Sequence, residues 1–245
     1  MLHSMDIVIP VLNEAPTLEV QVTKLLRYLE NHSEFTFEYR VTIADNGSTD
    51  STLEIAHNLA RHSQKVRVVS VGRRGVGLAL KEAWGTSTGE YVGYMDLDFS
   101  TDLKHLLDVE ERLKEGFDAV FGSRLLPTSV VLGRSLKREL TSKVFNRLIQ
   151  VLFRSSLSDG MCGFKFFRRE LLSDFSHIGA DCDGWFYCTE ITVAAQVAGS
   201  KIYELPISWH DDSASKVRIP SLTMEYLRDM RAFKRRIRTS RRTTA

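Results

Sequence analysis

Apolar and polar positions alternate along this chain in two rhythms. Nearly unbroken apolar runs at 5–12, 39–44, 66–71, 91–95 and 119–121 have the length and composition of strands buried on both faces of a parallel sheet. Between them, apolar residues recur three and four apart. Leu18, Val22, Leu25, Leu26 and Leu29 form the core-facing stripe of a helix that begins near Pro16, and an amphipathic helix is predicted at 102–115. Strand and helix alternate throughout the first half, which predicts an α/β fold with a doubly wound, mostly parallel sheet flanked by helices. In such sheets ligands collect at the carboxyl ends of strands, and Glu14, Asp45, Asp98 and Arg124 all fall there.

The second half is less regular. A helix is predicted at 137–153, a turn-rich segment at 158–163 leads into 164–167, and a further helix covers 190–198. The run 202–209 reads as a strand with Pro206 inside it, hence an edge strand. A polar loop follows at 211–216, and a last helix is predicted at 221–238.

The fourth strand ends in Asp96 and Asp98, and a strand's period of two directs both to one side. Paired carboxylate oxygens suit Mg²⁺ or Mn²⁺, ions held by one or two carboxylates together with the phosphates of a substrate. Glycines at 72, 75 and 77 precede a helix and let backbone N–H groups approach an anion. They follow the third strand and lack the Gly-x-Gly-x-x-Gly spacing, which argues against a dinucleotide-binding oxidoreductase.

At 245 residues and 43% hydrophobic content the chain suits one large domain with an appendage, and a disordered or fibrous class is excluded. The formal charge of +2 hides an asymmetry. From Arg218 onward nine basic residues face two acids, giving the tail +7 and the remainder −5, which suggests an anionic partner. Three cysteines without ligand spacing point to reduced thiols in a cytoplasmic setting. No run reaches the roughly 20 apolar residues that span a bilayer, so a soluble or peripheral protein is expected. Two segments result: a catalytic domain at 1–217, and a basic amphipathic helix and tail at 218–245. In the tail, Leu222, Met224, Leu227, Met230, Phe233 and Ile237 form a stripe beside the arginines. Such a helix can lie on an anionic membrane; the alternative is a helix packed on the domain.

Pro10-Val11-Leu12-Asn13-Glu14, Ala44-Asp45-Asn46-Gly47-Ser48-Thr49-Asp50, Met95-Asp96-Leu97-Asp98 and Gly122-Ser123-Arg124 together resemble the family 2 glycosyltransferases of the GT-A fold. Lys137-Arg138-Glu139 with Ser142 and Asn146, Cys162-Gly163-Phe164-Lys165, Gly184-Trp185-Phe186, Thr189-Glu190, Glu204-Leu205-Pro206-Ile207 and Ser215-Lys216 narrow the resemblance to the dolichyl- and polyprenyl-phosphate sugar synthases. The resemblance implies a nucleotide-diphosphate sugar as donor, a polyprenyl phosphate as acceptor, and transfer of mannose or glucose with inversion, giving a β-linked product. It implies donor contacts from Pro10, Leu12, Glu14, Asp45, Asn46, Gly75 and Asp96, with Lys216 on a loop that closes over the donor. Asp96 and Asp98 would hold the metal, and Arg124, Lys137, Arg138 and Ser142 the acceptor phosphate; Asp98, Arg124 and Arg138 are the catalytic set. Peripheral attachment to the cytoplasmic face of a membrane follows, and a homo-oligomer is compatible.

The sequence also departs from that family. Ser100 stands where relatives often carry a metal-binding Gln, Asn46 where a second Asp is frequent, and Cys188 where an Asp is common. An ionised lipid phosphate needs cations rather than a general base, and Arg134 and Lys165 join Arg124, Lys137 and Arg138 in the acceptor half. A glycan hydroxyl as acceptor is the alternative within the fold. A nucleotidyltransferase is another class, and a nucleic-acid-binding module using the basic tail is the non-enzymatic one; no nucleic acid is expected of a synthase.

Overall fold

The computed structural model describes residues 3–211 and 219–243. The first half runs β1 (Ser4–Val11), α1 (Leu18–Asn31), β2 (Glu38–Asp45), α2 (Thr52–His62), β3 (Val66–Ser70), α3 (Val76–Gly85), β4 (Tyr91–Met95), α4 (His105–Lys114) and β5 (Ala119–Ser123). There follow β6 (Val130–Leu132), α5 (Leu136–Phe153), β7 (Phe164–Arg168), α6 (Leu171–Ile178), α7 (Tyr187–Val197), β8 (Ile202–Pro206), β9 (Ser208–His210) and α8 (Ile219–Thr243).

Seven strands form one sheet in the order β3-β2-β1-β4-β7-β5-β8, and β6 pairs with β9 beside it. Every pairing in the large sheet is parallel except those of β7, which runs antiparallel between β4 and β5. The carboxyl ends of β1, β2, β4 and β5 therefore share one edge.

Strand periodicity divides the core between the two faces of the sheet. In β1, Met5, Ile7, Ile9 and Val11 pack with the buried stripe of α1 and with α4, whereas Val8 faces α3 and α7 across the sheet. Leu18, Val22 and Leu25 are fully buried, as the helical spacing predicts, and each contributes about 1.5–3 kcal/mol over an exposed position. Asp50 Oδ1 accepts the backbone N–H of Thr52 at 3.0 Å in the turn that leads into α2. The three cysteines are free thiols, with Cys162 and Cys188 buried.

Three elements differ from expectation. Phe164-Lys165-Phe166-Phe167 forms the antiparallel strand β7, with Phe164 and Phe166 on one face of the sheet and Phe167 on the other. The run at 202–209 divides at Ile207: β8 takes the sheet edge, as Pro206 requires, and β9 leaves to pair with β6. The third is α8, whose Tyr226, Met230, Phe233 and Ile237 are buried with α5, α6 and α7. Arg236 of α8 donates to the Gly179 carbonyl at 2.7 Å and pairs with the fully buried Glu190. Of the predicted stripe, Met230, Phe233 and Ile237 are thus committed to the protein interior, whereas Met224 is 71% exposed. No helix among the described residues is long and apolar enough to cross a membrane.

Gly93 of β4 leaves room for β7, since a Cβ there would lie 2.2 Å from the Phe166 ring. Gly93→Ala is expected to destabilise the fold by about 1–3 kcal/mol through overpacking, read as a lower thermal midpoint in circular dichroism.

Candidate active site

The loops at the carboxyl ends of β1 and β2 are stitched together by their own polar groups. Asn13, at φ 56, donates its backbone N–H to Ser48 Oγ at 3.0 Å and accepts the Thr49 N–H on Oδ1 at 2.8 Å. The Glu14 N–H reaches Thr52 Oγ1 at 2.8 Å. Asp45 is buried, and its carboxylate accepts from Ser70 Oγ, from the Gly47 N–H and from the Ser48 N–H at 3.0–3.3 Å. The buried Asn46 receives the Gly75 N–H on Oδ1 at 3.5 Å. Gly75 lies so close to the next segment that a Cβ would stand 2.9 Å from the Asp183 carbonyl. Pro10, Leu12, Glu14, Asp45, Asn46 and Gly75 thus gather around neighbouring strand ends, although the Asp45 oxygens already serve the turn.

β4 ends at Met95, so the strand period does not carry through Asp96 to Asp98; Leu97 and Asp98 lie in a turn with Phe99 at φ 50. The two carboxylates nonetheless feel each other. Burial first, and then the Asp98 charge, push Asp96 up to about 7 against the pull of Arg124 and Lys165. Asp98 is exposed and accepts the Ser100 N–H at 2.9 Å. Opposite Asp96 stands Gly163, where a Cβ would fall 2.1 Å from Asp96 Oδ2. Two repelling carboxylates, one solvent-facing, are a donor set that a divalent cation fits. No group of three candidate protein ligands occurs among the described residues, so the remaining coordination would come from substrate oxygens and water.

The facing wall is cationic. Arg124 follows β5, is 10% exposed, and forms a two-pronged pair with the fully buried Asp159: Nε to Oδ2 at 2.7 Å and Nη2 to Oδ1 at 3.1 Å. Its guanidinium lies 4.9 Å over the Trp209 ring. Asp159 also accepts from Asn146 Nδ2 at 3.3 Å and from the Met161 N–H at 3.1 Å. Asn146 in turn donates to the Ser142 carbonyl at 3.1 Å, which links the buried Ser142 on α5 to Arg124 through Asn146 and Asp159. Burial and then the Arg124 charge push Arg134 below its ordinary value, so these cations are neighbours. Lys165 is fully buried 5.2 Å over the Phe121 ring, its Nζ without a hydrogen-bond partner, and burial pushes its ammonium down.

A cavity of about 170 Å³ joins both walls, lined by Asp96, Arg124, Gly163, Trp185, Cys188 and Trp209 among others. Among the described residues Asp96 is its one carboxylate, and burial pushes the Cys188 thiol up to about 12. Other expected residues stand apart. Lys137 is exposed on α5, Arg138 Nη1 pairs with Asp211 Oδ1 at 2.9 Å, and Lys216 lies outside the described residues. Sequence reasoning passed over Asp159, which looked like any Asp in a glycine-flanked turn; its partner is 35 residues away.

Comparison with known proteins gives the arrangement a context. The Glycosyl transferase family 2 profile matches residues 6–175. Glycosyltransferase AglD of Haloferax volcanii is 36% identical over 214 residues, which cover 86% of this chain but only 34% of AglD. Dolichyl-phosphate beta-glucosyltransferases of Saccharomyces cerevisiae and Homo sapiens are 27% and 30% identical, covering 92% and 87% of this chain and 72% and 69% of theirs. Glucosyl-3-phosphoglycerate synthase from Mycobacterium tuberculosis, solved with Mn²⁺, UDP and glucosyl-3-phosphoglycerate, has the same fold, with a TM-score of 0.65 at 19% identity. That match covers 97% of this chain and 78% of the synthase.

The Arg124–Asp159 pair yields a prediction with a defined sign. Burial alone would raise the Asp159 carboxyl, but the Arg124 charge and hydrogen bonds hold it well below the usual carboxylate range. A depressed folded pKa contributes stability that is present above the unfolded value of about 3.9 and lost as pH falls below it. Asp159→Asn is expected to cost about 3–5 kcal/mol near neutrality by leaving Arg124 unpaired. Melting curves taken down to about pH 2 should then show a shallower acid limb in the variant than in the wild type.

Proposed function

Because the chain belongs to glycosyl transferase family 2, we propose that it transfers glucose from UDP-glucose to a dolichyl-type polyprenyl phosphate, with inversion at the anomeric carbon. One observation carries this reading: the Asp96 carboxylate, coupled to the neighbouring Asp98, and a rigidly paired guanidinium line one cavity. The names of the dolichyl-phosphate glucosyltransferase relatives support the acceptor and favour glucose over mannose. A neighbour solved with Mn²⁺ and UDP-glucose supports the donor and a divalent ion.

Asp98, with Asp96, would hold Mg²⁺ or Mn²⁺, and the ion would neutralise charge that develops on the departing diphosphate. The strand-end residues Pro10, Leu12, Glu14, Asp45, Asn46 and Gly75 would seat the nucleotide, with Lys216 covering the donor. Arg124 would receive the acceptor phosphate, held in place by Asp159 and stacked on Trp209, while Lys137, Arg138 and Ser142 would complete the anion's surroundings. A phosphate oxygen attacks the anomeric carbon, its bond to the diphosphate breaks, and UDP leaves with the electron pair. The acceptor is already ionised, so no proton has to be removed. This agrees with a cavity whose one carboxylate among the described residues belongs to the metal pair and whose thiol stays protonated. A glycan hydroxyl would need a base there. We place the reaction at the cytoplasmic face of a membrane, where such an acceptor resides.

Purified protein with Mn²⁺ or Mg²⁺, UDP-glucose and a short polyprenyl phosphate in detergent is expected to release UDP and form glucosyl lipid phosphate. Chelation should stop the reaction and either ion restore it. Asp98→Ala should lower kcat/KM about a hundredfold or more. UDP release that is indifferent to lipid phosphate, or a faster reaction with GDP-mannose, would refute the acceptor or the sugar respectively.

A further inference from the structure

The segment 179–185 joins α6 to α7 through turns and bends alone, yet side chains from three helices fix it. On α7, the fully buried Glu190 accepts the backbone N–H groups of Asp181 and Cys182 on Oε2 at 2.7 and 2.8 Å. Its other oxygen pairs with Arg236 of α8, whose Nε donates to the Gly179 carbonyl. Asp229, two turns earlier on α8, receives the Cys182 thiol at 3.6 Å. Lys81 of α3 donates to the Asp181 and Asp183 carboxylates at 2.8 and 2.9 Å, and Arg73 pairs with Asp183 at 2.8 Å.

The backbone held in this way is the surface on which the glycine turn before α3 lies. Leu78 donates its N–H to the Asp183 carbonyl at 3.2 Å, and Gly75 is already confined by that same carbonyl. A Cβ on Gly77 would stand 2.9 Å from the Gly184 carbonyl and would overlap that of Cys182. The contact is backbone against backbone, so a shift of the segment displaces the turn. At the other end of the segment, Trp185 lines the cavity that holds Asp96 and Arg124. Replacing a buried ion pair by apolar residues is often neutral or stabilising, so cohesion alone does not account for Glu190 and Arg236.

We propose that Glu190 and Arg236 are positioning residues for the nucleotide: by fixing 179–185 they hold the Gly75 turn in its donor-binding shape, which makes α8 a working part of the donor site. The proposal rests on the UDP-glucose reading above. Neither side chain touches the donor; both act through the segment between them and the turn.

Arg236→Met keeps the stem of the side chain and removes both of its bonds. Binding of UDP with Mn²⁺, followed by titration calorimetry, is expected to weaken about tenfold. KM for UDP-glucose should rise by the same factor while KM for the lipid phosphate stays as in the wild type. Hydrogen exchange should quicken at 179–185 and 72–78 and not in β1 or β5. Arg235→Ala, which removes an exposed charge from the same helix, should alter none of these readouts. Where Arg236→Met does not fold, Lys81→Met loosens the same segment from α3 and is read in the same way. Unchanged UDP affinity in the folded variant, or an equal rise in both KM values, overturns the proposal and leaves the donor reading intact. A wild-type chain that binds no UDP with Mn²⁺ refutes the donor reading itself, and the proposal with it.

Discussion

A guanidinium and a carboxylate taken out of water together hold this structure to its purpose. Arg124 and Asp159 are each buried, and neither could be left there without the other at a cost the fold could readily absorb. Asp159 draws in Asn146 from α5 and the backbone of Met161, so the end of β5, the 158–163 turn and a long helix converge on one carboxylate. The guanidinium is thereby fixed on the Trp209 ring with its charge turned to the cavity. Across the gap, Gly163 lets the Asp96 carboxylate lie against backbone where any side chain would exclude it. Attraction on one wall and repulsion on the other give the cavity its polarity.

Much of this was legible in sequence because the first half obeys simple periods. Five apolar runs became five strands, and the stripe from Leu18 to Leu29 became the buried face of α1. β7 was harder to see: its lysine sits among three phenylalanines, and no local pattern says that a strand will run backwards through a parallel sheet. The Arg124–Asp159 pair was invisible for a related reason, since pairing across 35 residues is decided by the sheet and not by spacing. Asp96 and Asp98 do act on each other as charges, but the turn after Met95 and not the strand pleat sets their relative placement.

The amphipathic pattern of α8 shows the limit of reading one helix alone. A stripe such as Met230, Phe233 and Ile237 says that one face seeks an apolar surface, not which surface. Here α6 and α7 supply it, and Arg236, one of the tail's basic residues, turns inward to Glu190 and Gly179.

The antiparallel strand also fixes an order of assembly. Residues up to Met95 can form β1 to β4 as a contiguous parallel unit while the chain is still being made. β5 comes next but has no partner within that unit; its sheet neighbours, β7 and β8, are both still to come. The carboxylates at the end of β4 and the guanidinium after β5 therefore remain unconnected until β7 inserts between them. Its arrival also supplies the turn that carries Asp159. The two charged walls thus belong to parts of the chain that come together late, and a nascent protein long enough to hold the carboxylate pair still lacks the Arg124–Asp159 wall opposite it.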